Sequence, residues 1–264
     1  MKISFIGCGN MAGAIIDGLL KSGRAVAGDI TASAPSEATR RRAEETWGIM
    51  TTPDNASAAG DGDVVVLAVK PQMMDAVIDE IRDVLTPSHL IISIAAGRSM
   101  AYLREKLGED KAIVRVMPNT PAMVGEGMSV WMAGERVTDE EKAVTENILT
   151  AFGLAEEVPE KIFDAAGIVS GCTPAYVYMF IEALADAGTA EGVPRKLAYR
   201  LASQALLGSA RMVLESGRHP GELKDQVTSP GGSTIEGVEA LEDGAFRGTV
   251  MSAIRAAAEK TRRM

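Results

Sequence analysis

A doubly wound α/β domain with a mostly parallel sheet, followed by an all-α region, is the fold class this sequence predicts. Three observations predict it. Short apolar runs alternate with amphipathic helical patterns through residue 158. A glycine turn joins the first run to the first helix, and strand signals stop after Pro159.

The first element is a strand at Ile3, Phe5 and Ile6, apolar enough to be buried on both faces. It meets Gly7-Cys8-Gly9-Asn10-Met11-Ala12-Gly13, behind which Ala14, Ile15, Gly18, Leu19 and Leu20 recur at helical spacing up to a Gly23 cap. Strand, Gly-x-Gly-x-x-Ala and helix in this order suit a nucleotide pyrophosphate. Gly7 permits the turn, Gly9 lets the backbone approach, and the helix N-terminus presents N–H groups and a partial positive charge. A glycine turn without a ligand is the plainer alternative. The N-terminal half, residues 1–158, thus reads as a Rossmann domain, and 159–264 as a separate helical one.

Ala25 to Ala32 forms the second strand, ending near Ser33. An acid at that end would select NADH, and the sequence has Ser33 there, with Asp29 too early and Arg40, Arg41 and Arg42 following on a helix. This favours NADPH; alternatively the arginines pair with Glu37, Glu44 and Glu45 on an exposed surface. A short strand at Gly48 to Thr51 precedes a helix opened by Pro53-Asp54-Asn55. Asp63 to Val69 is the clearest buried strand, and Ala68, Val69, Lys70 and Pro71 fall at its carboxyl end, where doubly wound folds bind ligands. Lys70 read alone is also compatible with a solvated end-of-strand lysine. Pro71 starts a helix with Met74, Val77, Ile78, Ile81 and Leu85 on its apolar face.

His89 to Ile94 is the fifth strand, and Ala95-Ala96-Gly97 offers nearly bare backbone beside the nicotinamide position. Ser99 caps a helix to Leu107, Ala112 to Met117 is the sixth strand, and Met117-Pro118-Asn119-Thr120-Pro121 is a stiff polar loop. Gly127 to Met132 and Leu154 to Val158 are further strands around a helix from Thr138 to Phe152. In the helical half, Ala175 to Glu191 follows Pro174, a second helix runs from Pro194 to about Glu215, and the last covers Ala245 to Arg262. Alanine on several faces points to a dimer interface, with a self-contained bundle as the alternative. Asp225 to Thr234 stands apart, because its hydroxyls and glycines at a helix start suit a carboxylate; a structural cap is the alternative.

With 264 residues, 46% apolar and 24% charged, the composition is that of a folded globular chain. A net charge of −9 argues against nucleic acid or an anionic membrane and for a small-molecule partner. Met1 leads straight into the first strand and no apolar run reaches the roughly 18 residues of a membrane span, so a cytoplasmic chain with no membrane partner is expected. Cys8 and Cys172 are expected as thiols, and His89 and His219 lack neighbours for a metal site.

FIGCGNMA, AVKPQ, SIAAG, VRVMPNTPAMVGEG, PAYVYMFIEALADAG and the segment HPGELKDQVTSPGGSTIEGVEALE, ending at Glu242, occur in this order. Together they closely resemble the pyrroline-5-carboxylate reductase family over essentially the whole chain. The resemblance implies hydride transfer from NAD(P)H to the C=N carbon of L-1-pyrroline-5-carboxylate, giving L-proline. NADP(H) is the expected cofactor and NAD(H) stays open. It also implies a C-terminal domain interlocking two subunits, in a homodimer that in some members builds a decamer. Carried over by motif, cofactor positions are Ile6, Gly7, Cys8, Gly9, Asn10, Met11, Ser33, Asn55, Ala68, Val69, Lys70, Pro71, Ala95, Ala96, Gly97 and Gln226. Substrate positions are Gly231, Gly232, Ser233 and Thr234, with the Thr234 hydroxyl, the catalytic candidate, near the ring nitrogen.

Gly171-Cys172-Thr173-Pro174 departs from the Gly-Ser-Gly-Pro or Gly-Ser-Ser-Pro of many members, and hydride addition gives Cys172 no covalent step. Rival readings are a β-hydroxyacid dehydrogenase, a reductase of another cyclic imine, and an NADP-sensing module. The first would need a lysine on the interdomain helix, and Ser170 to Gly192 has none.

Overall fold

The computed structural model describes residues 1–263, which divide into two compact units. The first comprises Met1–Cys172 with Thr261 to Arg263; the second is Thr173–Lys260.

The first unit holds β1 (Ile3–Ile6), α1 (Asn10–Lys21), β2 (Ile30–Ser33), α2 (Glu37–Trp47), β3 (Met50–Thr52), α3 (Asn55–Asp61) and β4 (Val64–Leu67). It continues through α4 (Met74–Ile81), β5 (Leu90–Ser93), α5 (Met100–Leu107), β6 (Ala112–Met117), β7 (Gly127–Ala133), α6 (Asp139–Leu149) and β8 (Gly153–Glu157). The strands form an eight-stranded sheet in the order β3-β2-β1-β4-β5-β6-β7-β8. Every pairing is parallel except β6 with β7, which is antiparallel. Ile3 and Phe5 pack on one face and Ile6 on the other; Val64 and Val66 likewise oppose Val65 and Leu67. That alternation explains the unbroken apolar runs, each fully buried side chain contributing roughly 1.5–3 kcal/mol.

Local chemistry sets the helix starts. Ser36, Asp54 and Ser99 each accept a hydrogen bond from a first-turn N–H, and Thr138 with Glu141 forms a complete capping box. The second strand is shorter than expected, because Ala27–Asp29 winds into a 3-10 turn before β2. Pro71 likewise opens a 3-10 turn, and α4 follows only at Met74.

The long helix α7 (Glu160–Ala190) corrects one expectation. It does not start at Pro174 but contains that proline. Its opening turns are held by the first unit: Phe163 and Ile168 are both 3% exposed, and the Arg115 guanidinium lies 4.3 Å over the Phe163 ring while donating to Asp164 at 3.3 Å. Burial lowers the pKa of Arg115 and Asp164 opposes that shift. The first compact unit thus includes these turns and ends at Cys172. At its full length α7 is also long and apolar enough, by length and composition, to cross a membrane, which the shorter expected helix was not.

In the second unit, the later turns of α7 and α8 (Arg195–Ser216) approach through small residues, Gly188 facing Ala198. Then follow α9 (Pro220–Gln226), α10 (Ser233–Asp243) and α11 (Phe246–Thr261), with Phe246 against Phe180 at 5.7 Å. Apolar side chains remain outside: Met179 is 69% and Leu214 70% exposed. Exposed apolar surface on this scale in an ordered bundle marks an interaction face.

Candidate active site

The glycine turn is built as its sequence requires. Gly7 has φ +98°, and its N–H donates to the Ser33 carbonyl at 3.1 Å. A methyl group on Gly7 would lie 2.8 Å from the Ala68 carbonyl oxygen. Gly9 occupies the N-cap of α1 in extended conformation, no side chain caps the helix there, and the space beside its Cα is open. Uncapped first-turn N–H groups beside an open approach fit a pyrophosphate.

At the end of β2 a polar chain forms. The Ser33 hydroxyl donates to Asn55 Oδ1 at 2.6 Å, and Asn55 Nδ2 donates to Glu80 Oε2 at 2.7 Å. Arg40 Nη1 donates to the Ala34 carbonyl at 2.7 Å and the Pro35 carbonyl at 3.0 Å, so this cation braces the turn just after Ser33. Arg41 pairs with Glu37 at 3.3 Å, as the plainer reading of the arginines expected. Arg42 lies beside another cleft with Gly9, Gly13 and Trp47.

A cavity of about 450 Å³ opens at the carboxyl edge of the sheet. Gly9, Asn10, Met11, Ala68, Val69, Lys70 and Ala96 line it, with Met117, Pro118, Gly167, Gly171 and Cys172 opposite in sequence but adjacent in space. Ile6 is fully buried and Cys8 is 4% exposed, so neither presents a side chain to the cavity. Ala95 is also buried, and Gly97 turns the chain beyond β5 with φ +73°. Pro71 offers its carbonyl to Arg98, which donates from Nε at 3.2 Å and Nη2 at 2.5 Å. Glu80, Arg98 and the α7 wall were not anticipated from sequence. Arg98 directly follows the glycine of SIAAG, a legible cue; nothing in the pattern of α4 singles out Glu80.

Cys8 is 4% exposed, and burial pushes its thiol pKa above the ordinary 9.0. The unfolded chain therefore ionises first as pH rises past that value, so any stability Cys8 contributes is intact below pH 9 and declines above it. Iodoacetamide at pH 8 is expected to label Cys8 at least tenfold more slowly in the native protein than in urea, measured by mass spectrometry of a Cys172→Ala variant. Equal labelling in both states would contradict the buried thiol.

In the second unit, Gln226 ends α9 and accepts from Arg218 at 2.9 Å. Gly231, at φ +64°, turns the chain into Gly232, the N-cap of α10, and Ser233 and Thr234 form the first turn. No side chain caps this helix either. Its first-turn N–H groups match a carboxylate as those of α1 match a phosphate.

The fold and the turn after β1 are those of a doubly wound dinucleotide-binding domain, joined to a helical region. Residues 160–264 match the family model described as pyrroline-5-carboxylate reductase dimerisation, and 2–97 match NADP oxidoreductase coenzyme F420-dependent. A pyrroline-5-carboxylate reductase from Glycine max is 45% identical over 99% of this chain and 95% of its own length. The solved pyrroline-5-carboxylate reductase of Coxiella burnetii superposes with a TM-score of 0.93 at 37% identity, covering 99% of this chain and 97% of the other. The Plasmodium falciparum pyrroline carboxylate reductase, solved with NADP bound, gives 0.90 at 36% identity over 100% and 97%. The chain belongs to the pyrroline-5-carboxylate reductase family.

Proposed function

We propose that this chain reduces L-1-pyrroline-5-carboxylate to L-proline, the last step of proline biosynthesis, with NADPH preferred over NADH. The observation that carries this reading is the uncapped start of α10 after a glycine pair, a set of N–H donors sized for a carboxylate. The same chain carries a dinucleotide turn at Gly7–Met11. The cofactor supplies the hydride that adds to the imine carbon, while the C=N electron pair moves to nitrogen.

The protein's part is positioning, since a protonated imine is already electrophilic. Backbone N–H groups from Gly231 to Thr234 hold the carboxylate, and the Thr234 hydroxyl orients the ring nitrogen. On the cofactor side, the Gly7–Met11 turn takes the pyrophosphate and Ser33 with Asn55 meets the adenosine ribose. Ala68–Pro71, Ala95–Gly97 and Gln226 complete the cofactor contacts. Duties divide by region, 1–158 holding the dinucleotide apart from the Gln226 contact, and 159–264 the substrate and the partner subunit. The exposed apolar surface of the helical region supports pairing with a second copy as a homodimer; further assembly of such dimers into a decamer, a cytoplasmic location and no membrane partner belong to the same reading without resting on that surface.

NADPH oxidation followed by absorbance, with pyrroline-5-carboxylate, its six-membered analogue and a hydroxyacid side by side, tests the assignment. The five-membered imine is expected to exceed the six-membered one by roughly 10–200-fold in kcat/KM, the range one methylene provides. Turnover of the hydroxyacid alone would overturn it.

A further inference from the structure

Pro174 lies inside α7 and has no N–H. In an uninterrupted helix the N–H of residue 174 would meet the carbonyl of Ser170, four residues earlier. That carbonyl is met from elsewhere: Asn119 Nδ2 donates to it at 3.1 Å. Asn119 Oδ1 accepts from the Met128 N–H at 2.9 Å, so both ends of the amide are engaged and its orientation is set. Asn119 is 9% exposed, which puts the bond where water does not readily substitute for it.

The bond joins two walls of one cavity. Met117 and Pro118 directly precede Asn119, Gly171 and Cys172 directly follow Ser170, and all four line the cavity at the sheet edge. Pro118 and Pro121 on either side stiffen the loop that carries the amide. The first compact unit ends at Cys172, two residues before the break in the helical ladder.

We propose that Asn119 is a positioning residue that replaces the hydrogen bond Pro174 cannot make, and so sets the spacing between the Met117–Pro118 and Gly171–Cys172 walls. Its effect on turnover rests on the proposed imine reductase activity, whereas its bond to Ser170 does not. Asn119 bonds neither the Gly7–Met11 turn nor the end of β2, so its loss is expected to weigh more on turnover than on NADPH affinity.

A double-mutant cycle tests this in the full chain. Asn119→Ala is expected to lower kcat/KM for pyrroline-5-carboxylate at least tenfold while the NADPH dissociation constant, read by fluorescence, changes less than twofold. Pro174→Ala returns an N–H to Ser170, and in that background Asn119→Ala is expected to cost threefold or less. Thermal unfolding of the same four proteins gives a readout independent of substrate: a fall of about 4 °C for Asn119→Ala in the native background and under half that beside Pro174→Ala. Asn119→Ser serves in the same cycle if the alanine variant does not accumulate folded. Equal losses in both backgrounds would overturn the proposal. A native protein inactive on the imine would sink the assigned function and leave the unfolding cycle to decide the role of Asn119.

Discussion

Gly7→Ala is expected to raise the dissociation constant for NADPH more than tenfold and to destabilise the protein by about 2–4 kcal/mol. Two costs combine. At φ +98° an alanine is strained, and its methyl would meet the Ala68 carbonyl oxygen at 2.8 Å and Val69 Cγ1 at 2.9 Å. The Ala68 atom is backbone, tied to β1 by its own N–H, which donates to the Ile6 carbonyl at 2.9 Å. Relief therefore requires β1 and β4 to part at the carboxyl edge, where both Gly9 and Ala68 line the cavity. Isothermal titration with NADPH and urea unfolding measure the two effects. Affinity within twofold of the native value would remove this turn from cofactor binding.

For Thr234→Ala the expected loss is in catalysis, with kcat/KM for pyrroline-5-carboxylate down tenfold or more, about 1.4 kcal/mol of transition-state stabilisation. Thr234 is exposed at the first turn of α10, so the change is expected to move stability by no more than about 0.5 kcal/mol. That separation makes the kinetics interpretable, because a rate loss cannot be traced to unfolding. Thr234→Ser keeps the hydroxyl and is expected to recover most of the rate. Unchanged steady-state kinetics in the alanine variant would exclude the hydroxyl from the reaction. A loss confined to KM at unchanged kcat would mean that it binds substrate and transition state alike.

The Asn119 cycle and the Gly7 substitution act on residues adjoining different lining segments of the same cavity, Met117–Pro118 and Gly9–Met11. One is expected to change NADPH affinity less than twofold and the other to weaken it more than tenfold, so the pair separates turnover from cofactor binding. Agreement between them would tie the cavity at the sheet edge to hydride transfer more directly than either variant alone.

Near-neighbour chemistry was legible in the chain itself. The Gly7–Ala12 turn, the caps at Asp54 and Ser99, and the two-faced apolar strands follow from interactions within a few residues, which sequence spacing encodes. So do the order of strands and helices to Pro159 and the glycine pair opening α10. Contacts across the sheet edge were not legible, because no spacing rule relates their partners. Glu80 reaches Asn55 from another helix, Arg115 grips Phe163 and Asp164 from a strand, and Asn119 meets Ser170 from a loop. Pro174 marks the divide most sharply: as an isolated residue it announces a helix start, yet α7 runs through it. Buried packing of Phe163 and Ile168 extends the helix backward, and a side chain distant in sequence meets the carbonyl left bare by the proline. A local propensity yields there because the packing and hydrogen bonding that oppose it come into being only once the chain has folded.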